Sequence, residues 1–213
     1  KASVLTNFTQ QNPQEGAPAT EKTEVRILYS KDFLYVAVRA FDREPEKIKA
    51  ILARRDSSPP SDWIKIWIDS YHDHRTAFEF AVNPSGVKRD VSWTDDSKAA
   101  EDWDAVWDVG VSLDEEGWSA EFRIPFSQLR FPEKRSQTWG FQVGRVIARK
   151  NEIIYWQHVP KGIPRFVSLF SDLKGLKKIP APKRLQVLPY SMGRSSIQPS
   201  VGGNPFQNRS SYF

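Results

Sequence analysis

The chain has 213 residues, of which 39% are hydrophobic and 27% charged, and it contains eight tryptophans. This composition provides enough apolar area for a folded core and excludes a largely disordered chain. The absence of cysteine excludes disulfides, zinc–thiolate sites, cysteine nucleophiles and iron–sulfur clusters. The longest apolar stretch, Phe33–Phe41, is too short for a transmembrane helix and contains Arg39.

The net charge of +5 is unevenly distributed along the chain. Residues 171–213 contain seven Lys or Arg residues and one Asp, so the preceding 170 residues have a net charge of −1. A nucleic-acid-binding domain needs a basic face on its folded part, and this distribution argues against nucleic acid as a partner. A basic C-terminal region could still contact an anionic surface.

Strand patterns dominate the first 170 residues. Residues 24–30 and Phe33–Phe41 predict a hairpin. A short helix is predicted next, because Ile48, Ile51 and Leu52 have helical spacing. Further strands are predicted at 63–69, 76–83, 87–94, 107–113, 118–124, 139–149, 153–159 and 166–173.

About ten short strands separated by turns, with one short helix, predict an all-β domain. We expect a two-sheet antiparallel β-sandwich of the jelly-roll or immunoglobulin-like type, with an up-and-down barrel as the alternative. The sandwich is assigned to residues 1–174. Residues 175–184 contain two prolines and four basic residues and are predicted to be a linker. Residues 185–213 are interpreted as the truncated, poorly ordered start of a downstream region.

The sequence contains no motif that points to catalysis. It has neither a Gly-x-Ser-x-Gly nucleophile motif nor a glycine-rich phosphate loop, and its acidic residues have no spacing that defines a pair. We therefore predict that the chain is not an enzyme. A glycoside hydrolase stays as a third alternative, because a carboxylate pair across a cleft is not visible in a sequence.

The densest group of metal-ligand residues is His72-Asp73-His74. Two histidines at positions i and i+2 of a strand could bind a metal ion from one face. The surrounding residues are typical of a polar turn, however, so the favoured interpretation is a solvated hairpin tip. No cofactor is predicted, and calcium is left open.

Tryptophans provide the strongest indication of function. In 63–69, Ile64, Ile66 and Ile68 are expected to enter the core, which leaves Trp63 and Trp67 on the opposite face. Indole rings beside polar side chains suit sugars, which stack their apolar faces on aromatics and hydrogen-bond through their hydroxyls. A second set of tryptophans lies beside acidic turns. The candidate sugar-binding residues are Trp63, Trp67, Glu79, Asn83, Arg89, Asp90, Trp93, Trp103 and Trp107.

A series of short motifs extends from about residue 5 to residue 176. It includes Pro13-x-x-Gly16-x-Pro18, Ser61-Asp62-Trp63, Val82-Asn83-Pro84-x-Gly86, Trp103-Asp104-Ala105-Val106-Trp107, Gly117-Trp118-Ser119 and Trp139-Gly140-Phe141. In this combination the chain resembles the family 9 carbohydrate-binding-module-like domain. The similarity is greatest to the branch found at the N-terminus of long bacterial envelope proteins, whose remainder is an outer-membrane β-barrel.

The resemblance implies a β-sandwich, sugar binding without catalysis, and a role in polysaccharide catabolism. It also implies an exported protein, located in the periplasm or at the cell surface or outer membrane. A second hypothesis is a structural or gating domain that docks on its own downstream barrel and binds no free ligand. The exposed aromatics would then form an intramolecular interface.

Overall fold

A computed structural model describes residues 3–180 and Met192, and it confirms the predicted β-sandwich. All strand pairs are antiparallel. One sheet has five strands, in the order β1 (Val4–Leu5), β3 (Thr23–Tyr29), β4 (Phe33–Phe41), β10 (Gly117–Pro125) and β9 (Asp108–Asp114).

The other sheet has eight strands. Seven follow the order β2 (Thr9–Asn12), β12 (Glu152–Tyr155), β11 (Ser136–Ile147), β5 (Trp63–Asp69), β6 (Ala77–Val82), β7 (Lys88–Thr94) and β8 (Lys98–Ala100). The eighth, β13 (Ser171–Lys177), pairs with the first half of the long strand β11, whereas β12 pairs with its second half.

The period-2 pattern of the strands determines which side chains fill the core. In β5, Ile64, Ile66 and Ile68 are fully buried between the sheets, as predicted. Leu34 and Val36 of β4 enter the same core from the five-stranded sheet. The remaining β5 side chains therefore lie on the outer face of the eight-stranded sheet, where the candidate site is found.

The prediction of a short helix that contains Ile48, Ile51 and Leu52 is wrong. The structure has only a three-residue 3₁₀ turn, Pro45–Lys47, and Leu52 is 80% exposed. The carbonyl of Lys49 accepts hydrogen bonds from the Asp62 amide and the Ser61 hydroxyl, so this backbone bonds to the entry of β5 instead of to a helical turn. Three apolar residues are also too few to stabilise an isolated helix.

The C-terminal end of the sandwich also differs from the sequence-based expectation. Residues 166–170 form a 3₁₀ turn region rather than a strand, and β13 begins only at Ser171. Because β13 continues to Lys177, and Leu176 and Ile179 are buried in the core, the sandwich extends past residue 174. The predicted region 185–213 lies outside the described residues, apart from Met192. Within residues 3–180, no helix has the length and apolarity needed to span a membrane.

Candidate ligand-binding groove

The register of the eight-stranded sheet brings five of the candidate residues together on its outer face. Trp67 of β5 pairs with Glu79 of β6, and Arg89 of β7 pairs with Ala81, two residues further along β6. Trp63 and Trp93 project from the same side, because they are an even number of residues from Trp67 and Arg89. The predicted placement of Trp63 and Trp67 on the face opposite Ile64, Ile66 and Ile68 is therefore confirmed.

Glu79 is the centre of this cluster and is only 1% exposed. Its Oε2 accepts hydrogen bonds from the indole nitrogens of Trp67 and Trp93, each at 2.9 Å. Its Oε1 accepts one from Arg89 at 3.0 Å. Glu79 was predicted to bind sugar hydroxyls, but its oxygens are already occupied by side chains of its own domain. Its role in the structure is to hold both indoles in place.

A segment that follows β12 covers one half of the outer face. Phe166 packs edge-on against Trp67, with ring centroids 5.1 Å apart, and against Trp93 at 4.7 Å. The carboxylate of Asp96 fixes this segment by accepting hydrogen bonds from the Phe166 amide and from the amide and hydroxyl of Ser168. Phe166 therefore covers Trp67, which is 2% exposed and does not line the open part of the face, so the prediction that it stacks on a ligand is wrong.

The other half of the face is open and forms a groove of about 550 Å³. Trp63, Val146 and Ile153 form its apolar floor. Trp63 is 6% exposed, and its indole nitrogen donates to the Pro59 carbonyl at 3.3 Å, which fixes the ring against the loop before β5. Pro59 and Pro60 form a wall of the groove, and Ala148 adds a small apolar contact. The polar lining residues are Asn12, Lys49, Ser58, Ser61, Lys65, Arg89 and Asn151.

The groove has a positive lining. Lys49, Lys65 and Arg89 contribute three cations, and among the described residues no Asp or Glu lines it. Arg89 is paired on both sides, with the buried Glu79 and with Glu101 at 2.6 Å. Lys65 Nζ lies 3.7 Å from Glu79 Oε1, beyond hydrogen-bond distance.

Asn83 and Asp90 are buried and do not line the groove. The Asn83 side chain closes the turn after β6, donating to the Ile51 carbonyl at 2.7 Å and accepting from the Val87 amide at 2.9 Å. Asp90 accepts from the Ala105 amide at 2.6 Å. Both were predicted to bind sugar, and the structure uses both to hold loops instead.

Trp103 and Trp107 lie on the opposite side of β6 from Glu79 and pack towards the core. Trp107 stacks on Phe122 with an interplanar angle of 7°, and Trp103 packs on Phe78 at 4.7 Å. Trp107 is buried and its indole nitrogen donates to Asp90. The prediction that these two residues present stacking faces together with Trp93 is therefore wrong.

His72, Asp73 and His74 lie in the turn between β5 and β6, as predicted. His72 Nε2 is 2.9 Å from Asp172, and the two imidazole centroids are 4.6 Å apart. The Asp73 carboxylate accepts hydrogen bonds from the amide and hydroxyl of Thr76, so it closes the turn. Within residues 3–180 and Met192, no three His, Cys, Asp or Glu side chains are grouped so that they could bind a metal ion.

Several groove residues were not predicted from the sequence. Lys49 comes from the loop where a helix was expected, and Asn12 and Asn151 come from the ends of β2 and the β11–β12 connection. The paired prolines before β5 were visible in the sequence and mark the wall of the groove. Nothing local in the sequence indicated that Asn12 and Asn151 would meet there.

Gly144 of β11 allows the aromatic side chains to lie directly over the sheet. A Cβ atom at this position would be 3.0 Å from the Trp67 ring and 3.1 Å from the Tyr155 ring. Trp67 cannot move away, because Glu79 and Phe166 hold it. We expect Gly144→Ala to lower the free energy of unfolding by about 1–3 kcal/mol, measured by urea denaturation. Gly110→Ala, where a Cβ would have no neighbour within 4 Å, is the control; an equal effect of both changes would contradict the packing argument.

Solved structures of other proteins share this fold. A proposed carbohydrate-binding protein from Bacteroides uniformis has a TM-score of 0.65 at 10% identity, over 81% of this chain and 86% of its own. A family 9 carbohydrate-binding module from Caldicellulosiruptor kristjanssonii, in complex with cellotriose, has a TM-score of 0.56 at 16% identity, over 90% and 89% of the two chains. The complex of a module of the same family and organism with glucose has a TM-score of 0.55 at 16% identity, over 89% of this chain and 88% of its own. These TM-scores establish a common fold, and at such low identities they establish the fold alone. No protein-family profile or curated protein sequence matches the chain.

Proposed function

We propose that this chain is a non-catalytic carbohydrate-binding module that binds a saccharide in the groove over Trp63. The observation that carries the proposal is the composition of the groove. An indole and two aliphatic side chains form its floor, and amide, hydroxyl and cationic side chains form its rim. A sugar needs this combination, because its ring has apolar faces and a polar edge.

The size of the groove also supports a small saccharide. Its volume of about 550 Å³ is within the range typical of small-molecule sites. One or two sugar rings on a largely buried indole bury little area, so we expect a weak dissociation constant, on the order of micromolar to millimolar. The fold shared with modules solved in complex with cellotriose and glucose supports the same ligand class.

The absence of lining carboxylates favours binding over hydrolysis. A glycoside hydrolase needs two carboxyl groups on either side of the scissile bond. Among the described residues, the acids that form ion pairs with lining side chains are Glu79 and Glu101, and both are paired with Arg89. As part of the same proposal, the chain belongs to an exported bacterial protein of the periplasm or cell surface that serves polysaccharide breakdown.

Trp63 is the residue whose replacement tests the proposal. We expect Trp63→Leu to weaken saccharide binding at least about tenfold, because loss of the flat indole removes the stacking surface. Leucine is preferred to alanine, because Trp63 is nearly buried and a large cavity would destabilise the fold. Binding is measured by isothermal titration calorimetry with glucose, cellotriose and acidic oligosaccharides, with and without calcium.

The matched control is Tyr35→Leu, an aromatic replacement on the outer face of the five-stranded sheet. This variant is expected to bind like the unmodified chain. If a folded Trp63→Leu variant, checked by circular dichroism, binds with unchanged affinity, the groove is not the site. If no saccharide binds to the folded unmodified chain, the proposal fails and a docking role within a longer protein gains support.

A further inference from the structure

We infer that the groove selects an acidic saccharide, one that carries carboxylate or sulfate groups, over a neutral one. This inference rests on the proposed function and specifies its ligand class. It follows from the cations that line the groove, their pairing, and the charge of the rest of the domain.

The three lining cations differ in how accessible they are to a ligand anion. Arg89 is held between Glu79 and Glu101, so its charge is compensated within the domain. Lys65 forms a long ion pair with Glu79, at 3.7 Å, but no hydrogen bond to it, and 28% of its side chain is exposed. Within residues 3–180 and Met192, Lys49 forms no ion pair. Lys65 and Lys49 therefore provide two donors that a ligand anion can reach.

The charges around the groove do not cancel completely. Glu79 is buried beneath the sheet surface and accepts a hydrogen bond from Arg89, so one carboxylate and one guanidinium compensate each other. Glu101, which is largely exposed, lies on the outer side of Arg89. Three lining cations therefore face two carboxylates, and an excess of one positive charge remains over the apolar lining. A charge close to such a surface interacts more strongly than it does in bulk water.

The domain as a whole is nearly neutral. Residues 1–180, which include all strands of the sandwich, contain 27 Lys or Arg and 26 Asp or Glu, a net charge of +1, so the positive groove is a local feature and not part of a generally basic surface. A neutral sugar would partly dehydrate the two ammonium groups without compensating them. A uronate or sulfate would form charge-assisted hydrogen bonds with them, which are stronger than neutral ones.

The inference can be tested by comparing saccharides of matched length. Calorimetry at 50 mM salt uses three ligands: a galacturonate trimer, cellotriose and a heparin-derived tetrasaccharide. We expect at least one acidic ligand to bind about tenfold or more tightly than cellotriose, an advantage that shrinks at 500 mM salt because the charges are screened. The galacturonate and heparin ligands separate carboxylate from sulfate recognition.

The double variant Lys49→Ala/Lys65→Ala tests the assigned residues. It should weaken acidic-ligand binding at least about tenfold and weaken cellotriose binding by a clearly smaller factor, because a neutral sugar loses only uncharged hydrogen bonds to these two ammonium groups. The control is Lys22→Ala, an exposed lysine paired with Glu24 and absent from the groove lining, which should change neither. Circular dichroism establishes that each variant is folded.

Two outcomes would overturn the inference and leave the proposed function intact. One is that cellotriose binds as tightly as both acidic ligands, and the other is that the double lysine variant retains full acidic binding. If a single-stranded oligonucleotide binds as tightly as the acidic saccharides, the groove is a general anion site, and the inference is also overturned. If none of the saccharides binds to the folded chain, the proposed function fails first.

Discussion

Replacing Glu79 by alanine is expected to lower the free energy of unfolding by about 3–5 kcal/mol. The change removes the acceptor of two indole N–H groups, those of Trp67 and Trp93, and the partner of the Arg89 guanidinium. Both indoles pack against Phe166 of the covering segment, where water cannot readily replace the lost carboxylate, whereas Arg89 lines the open groove and keeps Glu101 as a partner. Leaving buried donors without an acceptor costs far more than the net gain from forming such bonds.

Urea denaturation followed by tryptophan fluorescence measures this loss. The matched control is Glu101→Ala, which removes the other acid on Arg89 from a largely exposed position and should cost about 1 kcal/mol or less. Glu79→Gln keeps one acceptor oxygen, so its loss of unfolding free energy should lie between those of Glu79→Ala and Glu101→Ala. A loss below about 1 kcal/mol for Glu79→Ala would show that Glu79 does not organise the outer face.

Replacing Arg145 by leucine is expected to have a similarly large effect, about 3–5 kcal/mol at pH 7. Arg145 is fully buried in β11, and its Nη1 donates to the Lys22 carbonyl and the Thr23 hydroxyl, both at 3.2 Å. Asp42 lies 3.7 Å from its Nη2 and Asp62 is also fully buried. Leucine fills most of the volume but removes the buried cation that interacts with both carboxylates, although Asp42 keeps its hydrogen bonds from Arg149.

This second effect should depend on pH, because the two carboxylates respond differently. Burial raises the pKa of Asp62 above its usual value, although the Ala148 amide and the charge of Arg145 act against that rise. Burial would also raise the pKa of Asp42, but hydrogen bonds from Arg149 and the Glu44 amide, with the charges of Arg149 and Arg145, lower it overall.

Without Arg145, the pKa of Asp62 should rise further. A carboxyl group whose folded pKa is raised binds its proton more tightly in the folded state, so its contribution to stability increases as pH falls. The difference in unfolding free energy between the unmodified chain and Arg145→Leu should therefore narrow from pH 7 towards pH 5. Urea denaturation of both chains at pH 7 and at pH 5 measures this difference in unfolding free energy.

A double-mutant cycle with Asp62→Asn provides the control. If Arg145 compensates Asp62, the combined variant should lose less than the sum of the single losses. Asparagine keeps the oxygen that accepts from the Ala148 amide, so the change mainly removes the charge. Additive losses, with no dependence on pH, would assign the cost of Arg145→Leu to packing alone.

The extent to which the sequence predicted the site can be seen at β5. Its alternation identified both the core residues and the face that carries Trp63 and Trp67, because side-chain direction follows directly from the period of a strand. Whether that face is open depends on Phe166, which lies about 100 residues later and has no local relation to β5. The pattern could therefore predict the face of Trp67 but not its burial.

The errors at Trp107, Asn83 and Asp90 have a related cause. Acidic residues beside a tryptophan were interpreted as a ligand site, yet the Asp90 carboxylate accepts from the Trp107 indole itself and from a backbone amide. A polar side chain that accepts a hydrogen bond from a buried donor has the same sequence pattern as one that binds a ligand. Only the three-dimensional pairing separates the two cases.

The first dozen described residues contribute to both sheets. β1 pairs with β3 in the five-stranded sheet, whereas β2 pairs with β12, so that Asn12 is opposite Ile153. The hairpins β3–β4, β5–β6 and β6–β7 connect neighbours in sequence and can form early. The edge strand β2 can pair only once β12, about 140 residues further along, is available. Since such distant pairings slow folding, the N-terminal segment joins its second sheet only after nearly the whole domain has been synthesised.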